Sequence, residues 1–197
     1  MMSNGNGSKL SCAIILFALF SCAGWLYETI ENIFTFGGFY LRAQLMLPWC
    51  PIYGIGGLLI VALLEPLRRN LRDRMPAIAQ FLIIALGIYV LASVVELAGS
   101  FVCEWIMGYV PWDYSHAWGN IGGRIAPLYS MRFVILGLIA LYVLLPIVTL
   151  FVEARPSTAR NAAIAIMVAL VADFALEFVG VWSVVKGGLT AIGINHW

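Results

Sequence analysis

From Ala77 to Cys103 the chain carries a single charged side chain, Glu96, in an otherwise almost unbroken apolar run. A helix needs roughly 20 mostly apolar residues to cross the hydrocarbon of a bilayer, and this run exceeds that length. Comparable runs cover 10–34, 128–152 and 162–185. A fifth, over 45–64, is shorter and is punctuated by Pro48, Pro51, Gly54, Gly56 and Gly57. With 62% of the residues hydrophobic and 11% charged, no water-soluble core could hide this much apolar surface, so the bilayer must be the solvent. The expected fold is all-α: a polytopic transmembrane helix bundle of about five spans, forming one integral membrane domain over 1–197. Its second span should be irregular, and a long connector should precede its fourth.

The first run does not stop where a secretory leader would. It continues past Cys22 through Gly24, Trp25 and Leu26, and Phe20 is bulky where cleavage sites prefer small residues, so it reads as a retained first helix. A net charge of +1 gives no reason to expect a nucleic-acid partner. Cys12, Cys22, Cys50 and Cys103 form no C-x-x-C pair and have no zinc-type His spacing. No resident metal or cofactor is expected, and a Cys50–Cys103 pairing is left open.

Basic residues set the orientation. The connector "EPLRRNLRDRMP" holds Arg68, Arg69, Arg72 and Arg74 and belongs on the cytoplasmic side. Five spans then place Lys9, Arg155 and Arg160 on that side too, and leave Arg42, Arg124, Arg132 and Lys186 outside. The expectation is a multi-pass protein of the cytoplasmic membrane with a cytoplasmic N-terminus.

On that frame the acids fall toward the outer ends of the helices. Glu28 and Glu31 lie late in the first span, Glu96 and Glu104 late in the third, and Asp173 and Glu177 in the fifth. Each pair shares a helix face. Charges within spans cost on the order of 2.5–3.5 kcal/mol each on insertion scales and normally face a cavity or a partner. Six of them suggest one polar chamber open to the outside, with Arg124 and Arg132 as basic partners. The segment "WDYSHAWGNIGGRI" (112–125) is then a lid that brings Asn120 and Arg124 to the chamber, since long connectors of this kind usually carry function. Glu65 and Asp73, by contrast, read as solvated partners of the inner arginines.

Four stretches in this order carry a family resemblance: "GWLYETIEN", "LPWCPIYGIGG", the paired acids of the third span, and "WDYS…N…GRIAPLYS". The chain resembles the type IV ABC transporter permease family of small bacterial membrane proteins, the CmpB-like group, from about Phe17 to Pro146. The matching positions are Gly24, Trp25 and Glu28, then Pro51, Ile52, Tyr53 and Gly54, then Trp112, Asp113, Tyr114, Ser115, Asn120, Gly123, Arg124 and Ile125. Arg132 and Phe133 depart from the pattern, where a Trp-Gly pair is more usual. The resemblance implies transport and adds Tyr53 and Tyr114 to the candidate solute-binding groups.

Three functions fit these residues. The first is a permease-type component in which the carboxylates bind a small polar or cationic solute. It has no G-x-x-x-x-G-K-[ST] sequence, so ATP hydrolysis would fall to a separate ATPase subunit, and five spans per chain favour a homo-oligomer. The second is a membrane-embedded enzyme acting on a lipid or lipid-linked substrate at the outer leaflet. A buried carboxylate would serve there as general acid or base, with Arg124 and Arg132 on a phosphate or the clustered carboxylates on a divalent cation. The third is a non-catalytic accessory protein whose Glu–Arg pairs tie helix ends together among the membrane lipids.

Overall fold

The computed structural model describes residues 6–36, 40, 41, 45, 47–181, 195 and 196. Arg42 and Lys186, both assigned above to the outer side, lie outside the described residues, as does the end of the fifth expected span. The helices are α1 (Asn6–Phe36), α2 (Pro51–Leu71), α3 (Ala77–Met107), α4 (Pro127–Ile139), α5 (Leu145–Ala154) and α6 (Pro156–Phe178), with a π-helical turn, Ala140–Leu144, joining α4 to α5. Five helices are long and apolar enough to cross a membrane, the fourth being Pro127–Ala154 taken as a whole. The all-α class is therefore as expected. A two-residue parallel pairing of Tyr40–Leu41 with Asn195–His196 is a minor addition to it.

Local sequence explains where these helices begin and end. The breaks expected at Pro48 and Pro51 fall in the approach to α2, because Pro51 opens the helix, where a missing N–H costs nothing, while Pro66 lies inside it. Gly54, Gly56 and Gly57 then sit inside regular helix, as lipid tolerates no unpaired backbone. In the same way α6 starts at Pro156, earlier than its apolar run, and stops before Gly180, whose φ of +76° is left-handed. α3 ends at Gly108, with φ +79° and its N–H on the Glu104 carbonyl. The π turn just precedes Pro146, which has no N–H to continue the ladder.

The chain divides into two compact units, Met1–Ile55 with Ile147–Trp197, and Gly56–Pro146. In the first, α1 packs against α6. Buried residues there include Leu16 and Phe20 on α1 and the small Ala159 and Ala163 on α6; small residues of this kind allow helices to approach closely. In the second, Ile60 and Leu64 of α2, Ile84 and Ile88 of α3, Val134 of α4 and Leu141 form one apolar core. Gly137 lets α4 close on α3, since a Cβ there would overlap the Ile88 side chain. Outside these cores, large apolar side chains such as Phe34, Leu86, Ile135, Leu150 and Phe178 are exposed, the surface a helix offers to lipid tails rather than to water.

Candidate functional site

In the first unit the acids of α1 lie beside the start of α2. The Cys50 N–H donates to the Ser21 carbonyl at 3.1 Å and seats the approach segment on α1. Gly24 then receives the Tyr53 ring, and Gly54 faces Ser21 and Phe17; a Cβ at either glycine would overlap those neighbours. So placed, the Tyr53 hydroxyl hydrogen-bonds Glu28, and the Tyr27 ring lies 6.4 Å from the Tyr53 ring, centroid to centroid. Asp173 of α6 is 2% exposed and accepts the Leu47 N–H at 3.0 Å. Glu31 is half-buried and Glu177 exposed. Glu28 with Tyr53, and Asp173 with the α2 approach, are thus brought together.

The second unit holds the "WDYS…N…GRI" connector in a closed form. Tyr114 N–H donates to the Gly123 carbonyl at 2.8 Å, Ile121 N–H to the Ile125 carbonyl at 2.9 Å, and Trp112 Nε1 to the Arg124 carbonyl at 2.9 Å. Gly119, Gly122 and Gly123 all take positive φ, which only glycine adopts without strain. Asn120 is engaged within this loop: its amide donates to the Ser115 and Ala117 carbonyls, and its Oδ1 accepts the Gly123 N–H. Asp113 is likewise a turn-former, accepting the Ser115 N–H at 2.8 Å and the Ser115 hydroxyl at 3.0 Å.

Those donors, the Ser115 N–H foremost, hold the Asp113 carboxyl below the usual aspartate range. A lowered folded pKa means the turn's contribution is present above the unfolded value and lost as pH falls through the folded one. The expected result is a Ser115 amide NMR shift that titrates with a midpoint below that of a free aspartate. A midpoint at the free value would show that the turn does not grip its carboxylate.

The loop docks on α3 through Arg124. Its Nη2 meets Glu104 Oε2 at 2.6 Å, its Nη1 meets Ser100 Oγ at 3.3 Å, and the guanidinium lies 4.3 Å from the Phe101 ring centroid. Tyr114 stacks on Tyr129 of α4 at 4.1 Å, and Arg132 covers the Tyr129 ring at 4.6 Å. Beneath them Glu96, 6% exposed, is hydrogen-bonded by the Tyr114 hydroxyl and by Ser130 Oγ, the latter at 3.2 Å. Of the candidates in this unit, Glu96, Glu104, Tyr114 and Arg124 therefore share one contact network. Arg132 joins it by ring stacking, and Asn120 joins it only by shaping the loop.

Several participants had not been expected. Ser130 and Tyr129 close the "GRIAPLYS" stretch, but neither was among the candidate site residues. Ser100 is four residues beyond Glu96 on one face of α3, a signal the spacing did carry. At the opposite end of the unit, Glu65 is buried rather than solvated, and it pairs with Arg68 at 2.6 Å and Arg69 at 2.7 Å. Arg72, Asp73 and Arg74 are exposed. Among the described residues no disulfide joins Cys12, Cys22, Cys50 or Cys103.

A family model described as "Putative ABC-transporter type IV" matches residues 15–178, through both units and every span. The chain belongs to this family. It is a multi-pass, transporter-type membrane protein, and the stretches that carried the resemblance all lie within the matched region. The match also takes in α6, which lies beyond the Phe17–Pro146 stretch of the resemblance. No curated protein and no solved structure matches the chain.

Proposed function

We propose that this family member is the membrane-embedded part of a permease that binds a small polar or cationic solute from the outer side of the cytoplasmic membrane. In this reading the N-terminus and the Arg68–Arg74 connector face the cytoplasm. The observation that supports it best is Glu96, a carboxylate buried within a span and held by the neutral hydroxyls of Ser130 and Tyr114. Two hydroxyls satisfy lone pairs without cancelling the charge, so the residue keeps a chemistry that plain helix packing does not need. Arg124, in contrast, is committed to Glu104 and Ser100 and fixes the lid.

The solute-contacting groups are proposed to be Glu28, Glu31, Tyr53, Asp173 and Glu177 in the first unit. In the second they are Glu96, Glu104, Tyr114 and Arg132, with Arg124 fixing the lid and Asn120 holding the loop's shape. A separate ATPase subunit docks on the exposed arginines of the connector, where Arg69 is more open than Arg68, and the chain forms a homo-oligomer. Proteoliposomes containing the purified chain test this. Saturable entry of a labelled solute down its own gradient, which needs no ATP, is expected for at least one of a panel of small cations and polar neutrals. Glu28→Gln and Asp173→Asn should each weaken it about tenfold, the worth of one hydrogen bond to a charged group. Phospholipid breakdown without uptake would overturn the reading in favour of an enzyme.

A further inference from the structure

Four buried donors in the first unit have no protein acceptor among the described residues: Ser21 Oγ, Trp25 Nε1, Asn32 Nδ2 and Trp49 Nε1. Ser21 is 0% exposed and Asn32 5%. Leaving such a group unpaired typically costs about 1–3 kcal/mol, and orphans of this kind are few in native proteins. Their placement is not scattered. Ser21, Trp25 and Asn32 fall with Glu28 on one stripe of α1, at the i, i+4, i+7, i+11 spacing of a single helix face. Trp49 belongs to the segment that the Cys50 N–H ties to the Ser21 carbonyl.

The chemistry of the stripe restricts what can lie on it. Two indole N–H groups, an amide and a hydroxyl call for acceptor oxygens. A bare cation would satisfy the acids and leave all four donors orphaned. An anion would satisfy the donors but meet Glu28 on the same stripe, with Glu31 beside it on α1 and Asp173 in the same unit. Hydroxyl groups accept and donate at once, so they satisfy both sets. Indole faces also pack well on the apolar side of a sugar or polyol ring. We propose that this stripe is a binding site for a neutral polyhydroxylated solute, its oxygens accepting from Ser21, Trp25, Asn32 and Trp49 and its hydroxyls donating to Glu28. The inference rests on the solute-binding reading above and narrows its class. Ser21 to Asn32 spans about 16 Å of helix, so an elongated ligand engages more donors than a single ring does.

Equilibrium dialysis of the detergent-solubilised chain against labelled sorbitol, glucose, maltotriose, tetraethylammonium and inorganic phosphate tests it. Saturable binding is expected for at least one of the three polyols and for neither ion. Ser21→Ala, Trp25→Phe and Trp49→Phe should each weaken that binding about three- to tenfold. Ser21→Ala should leave the unliganded Tm unchanged or raised, because it deletes an unpaired hydroxyl; the binding loss is then separable from misfolding. Binding of tetraethylammonium or phosphate in place of polyols would overturn the neutral class and leave solute binding intact. Binding of none of the five would overturn the site, the orphaned donors then being served by water, and the transport reading would be judged by uptake alone.

Discussion

Gly24→Ala is expected to lower the Tm of the purified protein by several degrees. A Cβ at this position would overlap Cβ, Cγ and Cδ2 of Tyr53. Tyr53 Cβ is fixed by the backbone, so no rotamer change moves it clear, and the α2 backbone itself must shift. Overpacking of this kind costs about 1–3 kcal/mol, and for a chain of this size each kcal/mol moves Tm by roughly 2–4 °C. The shift also draws the Tyr53 hydroxyl off Glu28, so solute binding should fall with stability. Gly56→Ala is the control. Its Cβ would meet only a Val95 methyl at 3.8 Å, an ordinary contact, and alanine is the better helix former by about 1 kcal/mol. Equal melting of wild type and Gly24→Ala would remove the close approach of Tyr53 to α1.

Glu96→Ala should be at least as damaging. It deprives the Ser130 hydroxyl, 1% exposed, and the Tyr114 hydroxyl of their acceptor together, and a buried donor left unpaired costs about 1–3 kcal/mol. Tyr114 belongs to the closed loop, so its release should appear as faster hydrogen exchange at the Tyr114 amide, which now donates to Gly123. Glu96→Gln separates folding from function. The amide oxygen still accepts a hydroxyl, so melting and loop exchange should stay near wild type while uptake falls about tenfold or more. If Glu96→Ala melted and exchanged like wild type, the carboxylate would not be the anchor of the loop. If Glu96→Gln transported like wild type, its charge would have no part in function.

The glycine and hydroxyl contacts behind these predictions were not legible in the residues alone. "GWLYETIEN" and "LPWCPIYGIGG" were recognisable as stretches, but that Gly24 of one receives Tyr53 of the other depends on how far each helix is rotated about its axis. The same holds for Glu96. Its place late in the third span was readable from the run itself, whereas its partner Ser130 lies 34 positions away. Glu65 shows the converse. Its arginine partners at i+3 and i+4 were readable from spacing, but its burial was not, because burial depends on what other elements place over it.

What the amino-acid order determined unaided is whatever a bilayer imposes locally. Five apolar helices long enough to span a membrane, and which acids fall on which of them, follow from runs of hydropathy, and the positive φ of the loop glycines from short-range backbone rules. Tertiary structure alone decided which group answers which: Tyr53 on Glu28, the Leu47 N–H on Asp173 across 126 positions, and Tyr114 and Ser130 on Glu96. Among the described residues it also left the side-chain donors of Ser21, Trp25, Asn32 and Trp49 without an acceptor. The reason is physical. Insertion into lipid depends on each segment's own composition, whereas a hydrogen bond requires two distant segments to meet within about 3 Å, and no property of either segment by itself specifies that meeting.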